Sequence, residues 1–265
     1  MKKNNELQKF YRKVYSKGET KHFTSFLTTG KPTTEADYVF KESQWKGKKV
    51  LDVGCGTGYF AHKIAKKGAI VLGIDYADEA ILIAKKKYQH KNLEFKKLDV
   101  KDIAEKYDII TSLGTFEHLD SPFKILKKMR DHLKNNGKII LTNPNWLNPR
   151  GYVLMTLYFL FNAPITLADI HYLTPNDHKE WAKKINMNLK WKTFDFSWAH
   201  GEILLQDFKR RLPNVLKDTK LPNDKKQIKK FISWLEKNVV DMNNTLPHSG
   251  AIGIYIYSKK NKIKN

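Results

Sequence analysis

The sequence predicts an α/β protein whose mostly parallel sheet is covered by helices on both faces. Strand and helix patterns alternate with short connections from Lys49 to Leu141, which is typical of parallel sheets built from βαβ units. A glycine-rich loop follows the first predicted strand, and two later stretches break the alternation with helical patterns. We therefore divide the chain into an N-terminal helical cover, residues 1–44, and one domain, residues 45–265, with cap-forming insertions at 143–174 and 197–248.

Five strands and three helices are predicted within the alternating part. Short apolar runs indicate the strands, and apolar positions at helical spacing indicate the helices between them. Gly68 fits the end of the first helix, Pro122 fits the first turn of the third, and Asn135-Asn136-Gly137 is expected to end that third helix. The strands are predicted at Val50–Val53, Ile70–Ile74, Leu93–Lys96, Tyr107–Ser112 and 138–142, and the helices at 59–67, 78–88 and 122–133.

The part of the chain after residue 142 contains one long apolar run, Tyr152–Phe161. At about ten residues it is too short to span a bilayer. The run is either a helix packed into the core or a lid over a nonpolar ligand, and the flanking Arg150 leaves a contact with a membrane surface open. A helix at 175–187 and strands at 189–196 and 250–258 complete the predicted elements.

The formal net charge of +22 is large. It fits a nucleic acid partner, an anionic membrane surface, or simply the lysine-rich drift of an AT-rich genome. Only five of the 49 basic residues are arginine, the residue preferred for bidentate phosphate recognition, so nucleic acid is not the expected partner. A single cysteine, Cys55, excludes an internal disulfide. Together with the lack of an apolar signal segment after the basic N-terminus, this predicts a cytoplasmic location, with peripheral membrane contact as the open alternative.

The most specific pattern is the run Val50-Leu51-Asp52-Val53-Gly54-Cys55-Gly56-Thr57-Gly58. Glycine adopts positive φ and lets a ligand approach the backbone, and the helix that follows offers free N–H groups. The acidic-x-G-x-G-x-G spacing differs from the G-x-G-x-x-G of dinucleotide folds. It resembles motif I of class I S-adenosylmethionine (SAM)-dependent methyltransferases. The resemblance implies SAM as cofactor, bound beside its amino-acid end by Asp52, Gly54, Cys55, Gly56 and Gly58.

Three further positions match this family at the ends of the following strands. Asp75, with Tyr76 beside it, takes the place of the acidic residue that holds the SAM ribose hydroxyls. Asp99 and Val100 match the pair that contacts the adenine. Both aspartates also fit a purely structural role as helix caps. The resemblance further implies that the backbone of Leu113 and Gly114 lies against the methionine portion of the cofactor.

The segment from Leu113 to Asp120 carries the candidate chemistry. It resembles the E-H-hydrophobic-x-x-P segment of small-molecule methyltransferases such as those of ubiquinone biosynthesis. His118 has a near-neutral pKa in its ordinary state and suits a general base for a hydroxyl acceptor, with Glu117 beside it; both also fit a structural role. His171 lies in a segment that resembles the H-x-h-[ST]-P stretch of the family and is a second catalytic candidate. Ubiquinone-pathway relatives carry an acidic metal ligand where this chain has Gly114, so no metal is expected.

The resemblance implies a seven-stranded Rossmann-like sheet whose last strand runs antiparallel beside strand 5. The implied function is SAM-dependent transfer of a methyl group to a small-molecule, lipid or glycan acceptor, at oxygen. Two alternatives stay open, an RNA methyltransferase and a non-catalytic SAM-binding protein. The nucleobase-amine motif N/D-P-P-Y/F is missing after strand 4, where Leu113–Phe116 stands instead. This difference disfavours the RNA alternative, and the intact aspartates and glycines disfavour the non-catalytic one.

Overall fold

The computed structural model describes residues 35–163, 165–166, 169–240 and 246–260. The chain divides into two compact units. The sheet unit consists of Met1–Thr142, His178–Lys190 and Tyr255–Asn265, and the insertion unit consists of Asn143–Asp177 and Trp191–Ile254. Almost all of both stretches predicted as insertions fall in the second unit. Of the predicted N-terminal cover, residues 1–34 lie outside the described residues, and helix α1 spans Glu35–Phe40.

Seven strands form one sheet, in the order β3-β2-β1-β4-β5-β7-β6. The pairs β1/β2, β1/β4, β2/β3 and β4/β5 are parallel, as predicted. The Nζ of Lys259 donates to the carbonyl of Leu133, and the N–H of Asn145 donates to the carbonyl of Ala251, so β7 runs antiparallel to β5. The strands are β1 Lys49–Val53, β2 Ile70–Asp75, β3 Leu93–Lys97, β4 Tyr107–Leu113, β5 Leu133–Pro144, β6 Met187–Phe194 and β7 Ile252–Lys259.

The centre of the sheet unit is apolar because its strands are covered on both faces. Val50, Leu51, Ile110 and Ile139 are fully buried on three neighbouring strands, which is typical of parallel sheets flanked by helices. The helices bury apolar residues at helical spacing, for example Ala80, Ile81 and Ala84 in the helix that follows β2. The helices of the alternating part are α2 Tyr59–Ala65, α3 Asp78–Lys87 and α4 Pro122–Asp131, and α6 Pro175–Lys184 follows later in the chain.

The boundary between α4 and β5 differs from the prediction. Helix α4 ends at Asp131, and β5 already begins at Leu133, so that Asn135-Asn136-Gly137 lies inside the strand rather than ending the helix. The register explains this: Tyr107 pairs with Leu133 but Ile109 pairs with Lys138, so β5 advances five residues while β4 advances two. A strand irregularity of this kind accommodates turn-type residues without ending the pairing. The fully buried Leu133 is therefore a sheet residue and not part of the helix.

The insertion unit is helical around its own apolar core. Leu154, Leu204, Phe208 and Leu212 are buried in that core, together with residues from the following helix. Helix α9 begins with a side-chain cap, since Asp224 accepts from the N–H of Lys226, and an irregular turn of Glu236–Val240 follows it. The helices are α5 Pro149–Phe161, α7 Phe196–His200, α8 Glu202–Asp218 and α9 Lys225–Leu235.

The apolar run of the sequence forms helix α5, but it is only partly buried. Gly151 and Leu154 are its buried residues, whereas Phe159 and Leu160 are 74% and 70% exposed and Tyr152 is also exposed. A helix that is apolar all round is ordinarily buried on every side. One side of the helix thus packs on the core of its unit through Leu154, as the first of the two readings predicted, while the other side is exposed. The lid reading stays a prediction. Within the described residues, no helix has both the length and the apolar character needed to cross a bilayer.

We expect Gly58→Ala to destabilise the protein far more than Gly47→Ala. Both glycines have positive φ, +85° and +73°, so each alanine costs about 1 kcal/mol of backbone strain. A Cβ at Gly58 would also lie 2.4 Å from Cζ of Phe95, whereas a Cβ at Gly47 meets nothing within 4 Å. Overpacking adds about 1–3 kcal/mol. Urea unfolding should therefore show a loss of about 3 kcal/mol for the first variant and about 1 kcal/mol for the second. Equal losses would contradict this packing.

Candidate functional site

The strand order brings the predicted cofactor residues to one edge of the sheet. Because β3, β2, β1 and β4 are parallel neighbours, their carboxyl ends meet at the edge where open α/β sheets bind ligands. The structure places there every residue that the sequence predicted for the cofactor: Asp52, Gly54, Cys55, Gly56, Gly58, Asp75, Tyr76, Asp99, Val100, Leu113 and Gly114.

The glycine loop is held against the end of β2. The N–H groups of Gly54 and Cys55 both donate to the carbonyl of Ile74, at 2.9 and 3.0 Å. Gly54, Gly56 and Gly58 all have positive φ, which only glycine adopts without strain. A Cβ at Gly54 would lie 2.5 Å from Oγ1 of Thr115. The loop thus needs glycine both for its backbone conformation and for its close approach to the segment after β4.

The carboxylate of Asp75 connects the glycine loop to the next helix. Its Oδ2 accepts from the N–H of Gly56 at 3.0 Å, and its Oδ1 accepts from the N–H of Ala77 at 2.9 Å. Burial raises the pKa of Asp75, and these backbone hydrogen bonds oppose the rise. The side chain therefore has the structural role at the helix entry that the sequence allowed. A ribose contact stays a prediction. The two backbone bonds are compatible with it, because each carboxylate oxygen has a second lone pair that can accept from a ribose hydroxyl.

The third predicted contact point is a short helical turn after β3. Asp99 caps this turn, Val100–Asp102, because its Oδ1 accepts from the N–H of Lys101 at 3.0 Å. Val100 is buried beneath the turn, and the Asp99 side chain remains half exposed. The structural role of Asp99 is thus present, and its contact with adenine stays a prediction. Tyr76, at the end of β2, is partly exposed, and burial raises the pKa of its hydroxyl.

A buried acidic residue lies directly before the loop. Oδ1 of Asp52 accepts from the Oγ1 of Thr111 on β4 at 2.7 Å. Burial raises the pKa of Asp52 to about 7. The hydrogen bond from Thr111 lowers this pKa, and the nearby carboxylate of Asp75 raises it further. Burial and the same two carboxylates raise the pKa of the Cys55 thiol. A raised pKa disfavours the thiolate, which is the nucleophilic form, and this agrees with Cys55 as a small residue that fills the turn.

The segment after β4 forms one helical turn, Phe116–His118, at the same edge. Phe116 is fully buried and anchors the turn, and Glu117 is buried beside it. The Nε2 of His118 lies 3.9 Å from Oε1 of Glu117, and 16% of the His118 side chain is exposed. The N–H of Gly114 donates to both the carbonyl and the Oγ1 of Thr142, which fixes the start of the segment. The turn thus presents a partly accessible imidazole backed by a buried carboxylate.

Glu35, on α1, is a site residue that the sequence analysis missed. Its Oε2 lies 3.4 Å from the position that a Cβ of Gly114 would occupy, and Oε1 of Glu117 lies 3.9 Å from the same point. Burial raises the pKa of Glu35, and a hydrogen bond with Thr142 opposes the rise. No motif marks this residue, because its approach depends on how α1 packs. Glu35 brings a carboxylate to the place where a side chain at residue 114 would point, and the expectation of no metal stays a prediction.

His171, the other catalytic candidate, belongs to the insertion unit. It is partly buried and precedes helix α6. Thr174 and Asp177 form a reciprocal cap at the start of that helix. The N–H and Oγ1 of Thr174 each donate to Oδ2 of Asp177 at 2.7 Å, and the N–H of Asp177 donates to Oγ1 of Thr174 at 3.5 Å. The threonine-proline pair thus begins the helix as predicted. A catalytic role for His171 stays a prediction.

Comparisons with known proteins agree with this geometry. A family model described as a methyltransferase domain matches residues 44–238, more than half of the chain. The ubiquinone biosynthesis O-methyltransferase of Acinetobacter baylyi is 32% identical over 155 residues, which cover 54% of this chain and 65% of that relative. The match thus spans less than two thirds of the relative's length. The chain belongs to the methyltransferase-domain family, and with it to the class I SAM-dependent methyltransferases.

Solved structures show the same fold at low sequence identity. A SAM-dependent methyltransferase of Thermotoga maritima, described as a possible histamine N-methyltransferase, aligns with a TM-score of 0.59 at 15% identity, over 95% of this chain and 98% of that one. Magnesium protoporphyrin IX methyltransferase of Synechocystis, solved with bound S-adenosylhomocysteine (SAH), aligns with a TM-score of 0.53 at 17% identity, over 69% and 90%. Identity this low supports the architecture alone, and SAM is the cofactor of this class.

We expect the protein to lose stability between about pH 4 and pH 7 because of Asp52. Its pKa is about 7 in the folded protein and near 3.8 when unfolded, so the folded state binds the proton more tightly. The contribution of Asp52 to the free energy of unfolding is largest below pH 4 and falls as the folded protein loses this proton towards pH 7. Above pH 7 the free energy of unfolding no longer changes because of Asp52. Three pH units correspond to at most about 4 kcal/mol.

The measurement is urea unfolding at pH 5 and pH 7.5 for the parent and for Asp52→Asn, which cannot ionise. The fall in the free energy of unfolding should be smaller in this variant. Asp108→Asn is the matched control, since the pKa of Asp108 is lowered by its hydrogen bonds and by Lys134 despite burial, and it is fully ionised throughout this range. Equal falls in the parent and in Asp52→Asn would contradict the assigned burial of the charge.

Proposed function

We propose that this protein transfers the methyl group of SAM to a hydroxyl group of a small molecule with a substantial nonpolar part. One observation carries the proposal: the glycine loop, Asp75 and Asp99 meet at the same sheet edge as the Phe116–His118 turn. The cofactor residues and a candidate base therefore share one edge. The similarity to a relative described as an O-methyltransferase supports oxygen as the acceptor atom.

The residues at this edge fit the cofactor. The oxygens of Asp75 and Asp99 accept backbone hydrogen bonds, and each carboxylate still has lone pairs that can accept from a ligand hydroxyl or amino group. When bound, SAM supplies an electrophilic methyl group. The protein's part is to hold the acceptor oxygen in line with it and to exclude water.

His118 is the proposed general base. A hydroxyl oxygen must lose its proton as it forms the new bond to carbon, and the imidazole accepts that proton as the methyl–sulfur bond breaks. The Glu117 carboxylate, 3.9 Å from Nε2, stabilises the imidazolium that results, since a nearby opposite charge favours the charged form. Glu117 is thus a positioning and electrostatic partner rather than the base. His171 is the alternative base.

The acceptor class is proposed from the insertion unit. Tyr152, Phe159 and Phe161 expose aromatic side chains on α5, whereas Leu154 is buried in the unit's own core and unavailable to a ligand. Exposed apolar surface of this kind marks a binding region rather than an ordinary solvated face. A lipid, a glycan with a lipid part, or another small molecule with an apolar body fits it. Work in the cytoplasm, with peripheral contact to an anionic membrane surface, is the proposed setting.

The direct test is methyl transfer itself. The protein is incubated with methyl-labelled SAM and a panel of 4-alkylphenols and 4-alkylcatechols of increasing chain length, and the products are analysed by mass spectrometry. A labelled methyl ether, formed faster as the chain lengthens, supports the proposal. A parallel incubation uses total RNA in place of the phenols and catechols. Methyl label in the RNA, with no methyl ether from the small molecules, would favour the RNA alternative instead.

We expect Asp75→Ala to weaken SAM binding by about 1.5–3 kcal/mol, the scale of a hydrogen bond to a charged group, or roughly 10- to 150-fold. Calorimetry with SAM and SAH measures this directly. Asp78→Ala is the matched control, because Asp78 lies three residues later and pairs with Lys97 at the surface. If both variants bind SAM as tightly as the parent, Asp75 serves only the loop and the helix.

Replacing His118 by alanine should lower kcat about 100-fold or more on the best phenol of the panel, while SAM affinity stays within about twofold. A lost base also removes the corresponding pKa from the pH dependence of kcat. His248→Ala is the control, since His248 is exposed and, among the described residues, only its backbone carbonyl has a hydrogen bond, which it accepts from Asn145. An unchanged kcat in His118→Ala would assign His118 a structural role and turn attention to His171.

A further inference from the structure

Three of the five arginines of the chain surround one buried carboxylate in the insertion unit. Asp207, on α8, has no exposed side-chain surface. Its Oδ2 accepts from Nε of Arg150 at 3.1 Å, its Oδ1 accepts from Nη2 of Arg211 at 3.0 Å, and Nη2 of Arg210 lies 3.4 Å from Oδ1. In a chain so rich in lysine, this concentration of guanidinium groups is a specific feature of the unit. One carboxylate thus serves three cations.

The donors of Arg211 and Arg150 are used very differently. Arg211 donates from Nε and Nη2 to Asp207 and from Nη1 to the carbonyl of Ile165. Arg150 donates only from Nε, and among the described residues its two terminal nitrogens have no hydrogen-bond acceptor. The Arg150 side chain is 12% exposed. Neither of its terminal nitrogens is among the polar atoms of the described residues that are both fully buried and without a hydrogen-bond partner. The free edge of this guanidinium therefore reaches solvent from a mostly buried position.

Aromatic rings flank the same guanidinium. The Cζ of Arg150 lies 5.8 Å from the ring centre of Trp146 and 5.7 Å from that of Trp198. Tyr172 packs edge-on against Trp146, with ring centres 5.2 Å apart. Indole rings beside a guanidinium stabilise it and fix its orientation. What remains is a planar fork of N–H donors with apolar walls, the arrangement that binds a carboxylate through two parallel hydrogen bonds.

The other charged groups near Arg150 leave this fork open. Asp169 and Asp195 attract Arg150 through space, but neither has a hydrogen bond to it within the described residues. The cluster is therefore not strongly positive overall. What would attract an anion here is the unused N–H donors of Arg150 rather than a net positive charge. A carboxylate that supplies two acceptor oxygens replaces the water at this edge with two charge-assisted hydrogen bonds, which are stronger than bonds between neutral groups.

We infer that Arg150, with Trp146 and Trp198, forms a binding site for the carboxylate of a small molecule with an aromatic or apolar body. The carboxylate oxygens accept from the terminal nitrogens of Arg150, and the partly exposed indole of Trp198 contacts the apolar body. The buried indole of Trp146 holds the guanidinium in place from the core side. This goes beyond the proposed function, because it assigns a ligand group to the insertion unit. It is tested without SAM or methyl transfer, so the two proposals can fail independently.

The test is calorimetry on the full chain at constant ionic strength, with benzoate, acetate and inorganic phosphate as probes. Benzoate should bind most tightly, since it combines a carboxylate with an apolar ring. Arg150→Lys keeps the charge but loses the planar fork, and it should weaken benzoate binding at least tenfold. Arg210→Lys is the matched control: Arg210 lies beside the same Asp207, yet its side chain is 51% exposed, and benzoate binding should stay within twofold of the parent.

A second variant separates recognition from folding. Trp198→Leu leaves every arginine in place and should weaken benzoate binding while acetate binding is unchanged; this result decides the case if Arg150→Lys does not fold. No heat with either carboxylate at tens of millimolar would overturn the inference. Equal benzoate affinity in the parent and in Arg150→Lys would do the same. Phosphate binding tighter than benzoate would overturn the carboxylate assignment in favour of a phosphate ester.

Discussion

The two hydrogen bonds accepted by Asp75 are the constraint on which the cofactor edge depends. One bond fixes Gly56 in the glycine loop, and the other fixes Ala77 at the entry to α3. The same strand end holds Gly54 and Cys55 through the carbonyl of Ile74. Because these four bonds attach the loop and the helix entry to the same strand end, the loop cannot shift without breaking several of them at once. The loop, the strand and the helix entry thus form one rigid unit before any ligand arrives.

The same edge concentrates buried acids, which a stable fold ordinarily avoids. Burial raises the pKa of Asp52, Asp75 and Glu35. Hydrogen bonds from a threonine or from backbone N–H groups partly oppose each rise. No basic side chain contributes to the pKa shift of any of the three acids. Perturbed acids gathered at one end of a sheet are typical of a functional site. Their burial lowers the free energy of unfolding when they are ionised.

The insertion unit handles its charge differently. Asp207 is buried too, but guanidinium groups surround it, and the pKa of Asp207 is lowered despite burial because Arg150 and Arg211 stabilise its charged form. A buried pair of this kind contributes little net stability but fixes the geometry of the groups around it. Helix α5 adds exposed aromatic residues to the same unit. Paired charge and accessible apolar surface suit a unit that recognises a ligand, while the sheet unit carries the residues predicted to bind the cofactor.

The sequence by itself determined most of the strands and helices of the alternating part and the residues that follow each strand, because glycine spacing and apolar periodicity are local properties that follow from backbone sterics and burial. The order in which the strands pair was decided by the tertiary structure. The sequence failed at Asn135-Asn136-Gly137, where pairing with β4 outweighs turn propensity. It could not predict that Glu35 lies beside Gly114 or that Arg150 pairs with Asp207, because no sequence motif links the residues of either pair. Those contacts join residues 79 and 57 positions apart. Only tertiary packing decides them, because side chains so distant in sequence meet only after the helices that carry them have docked.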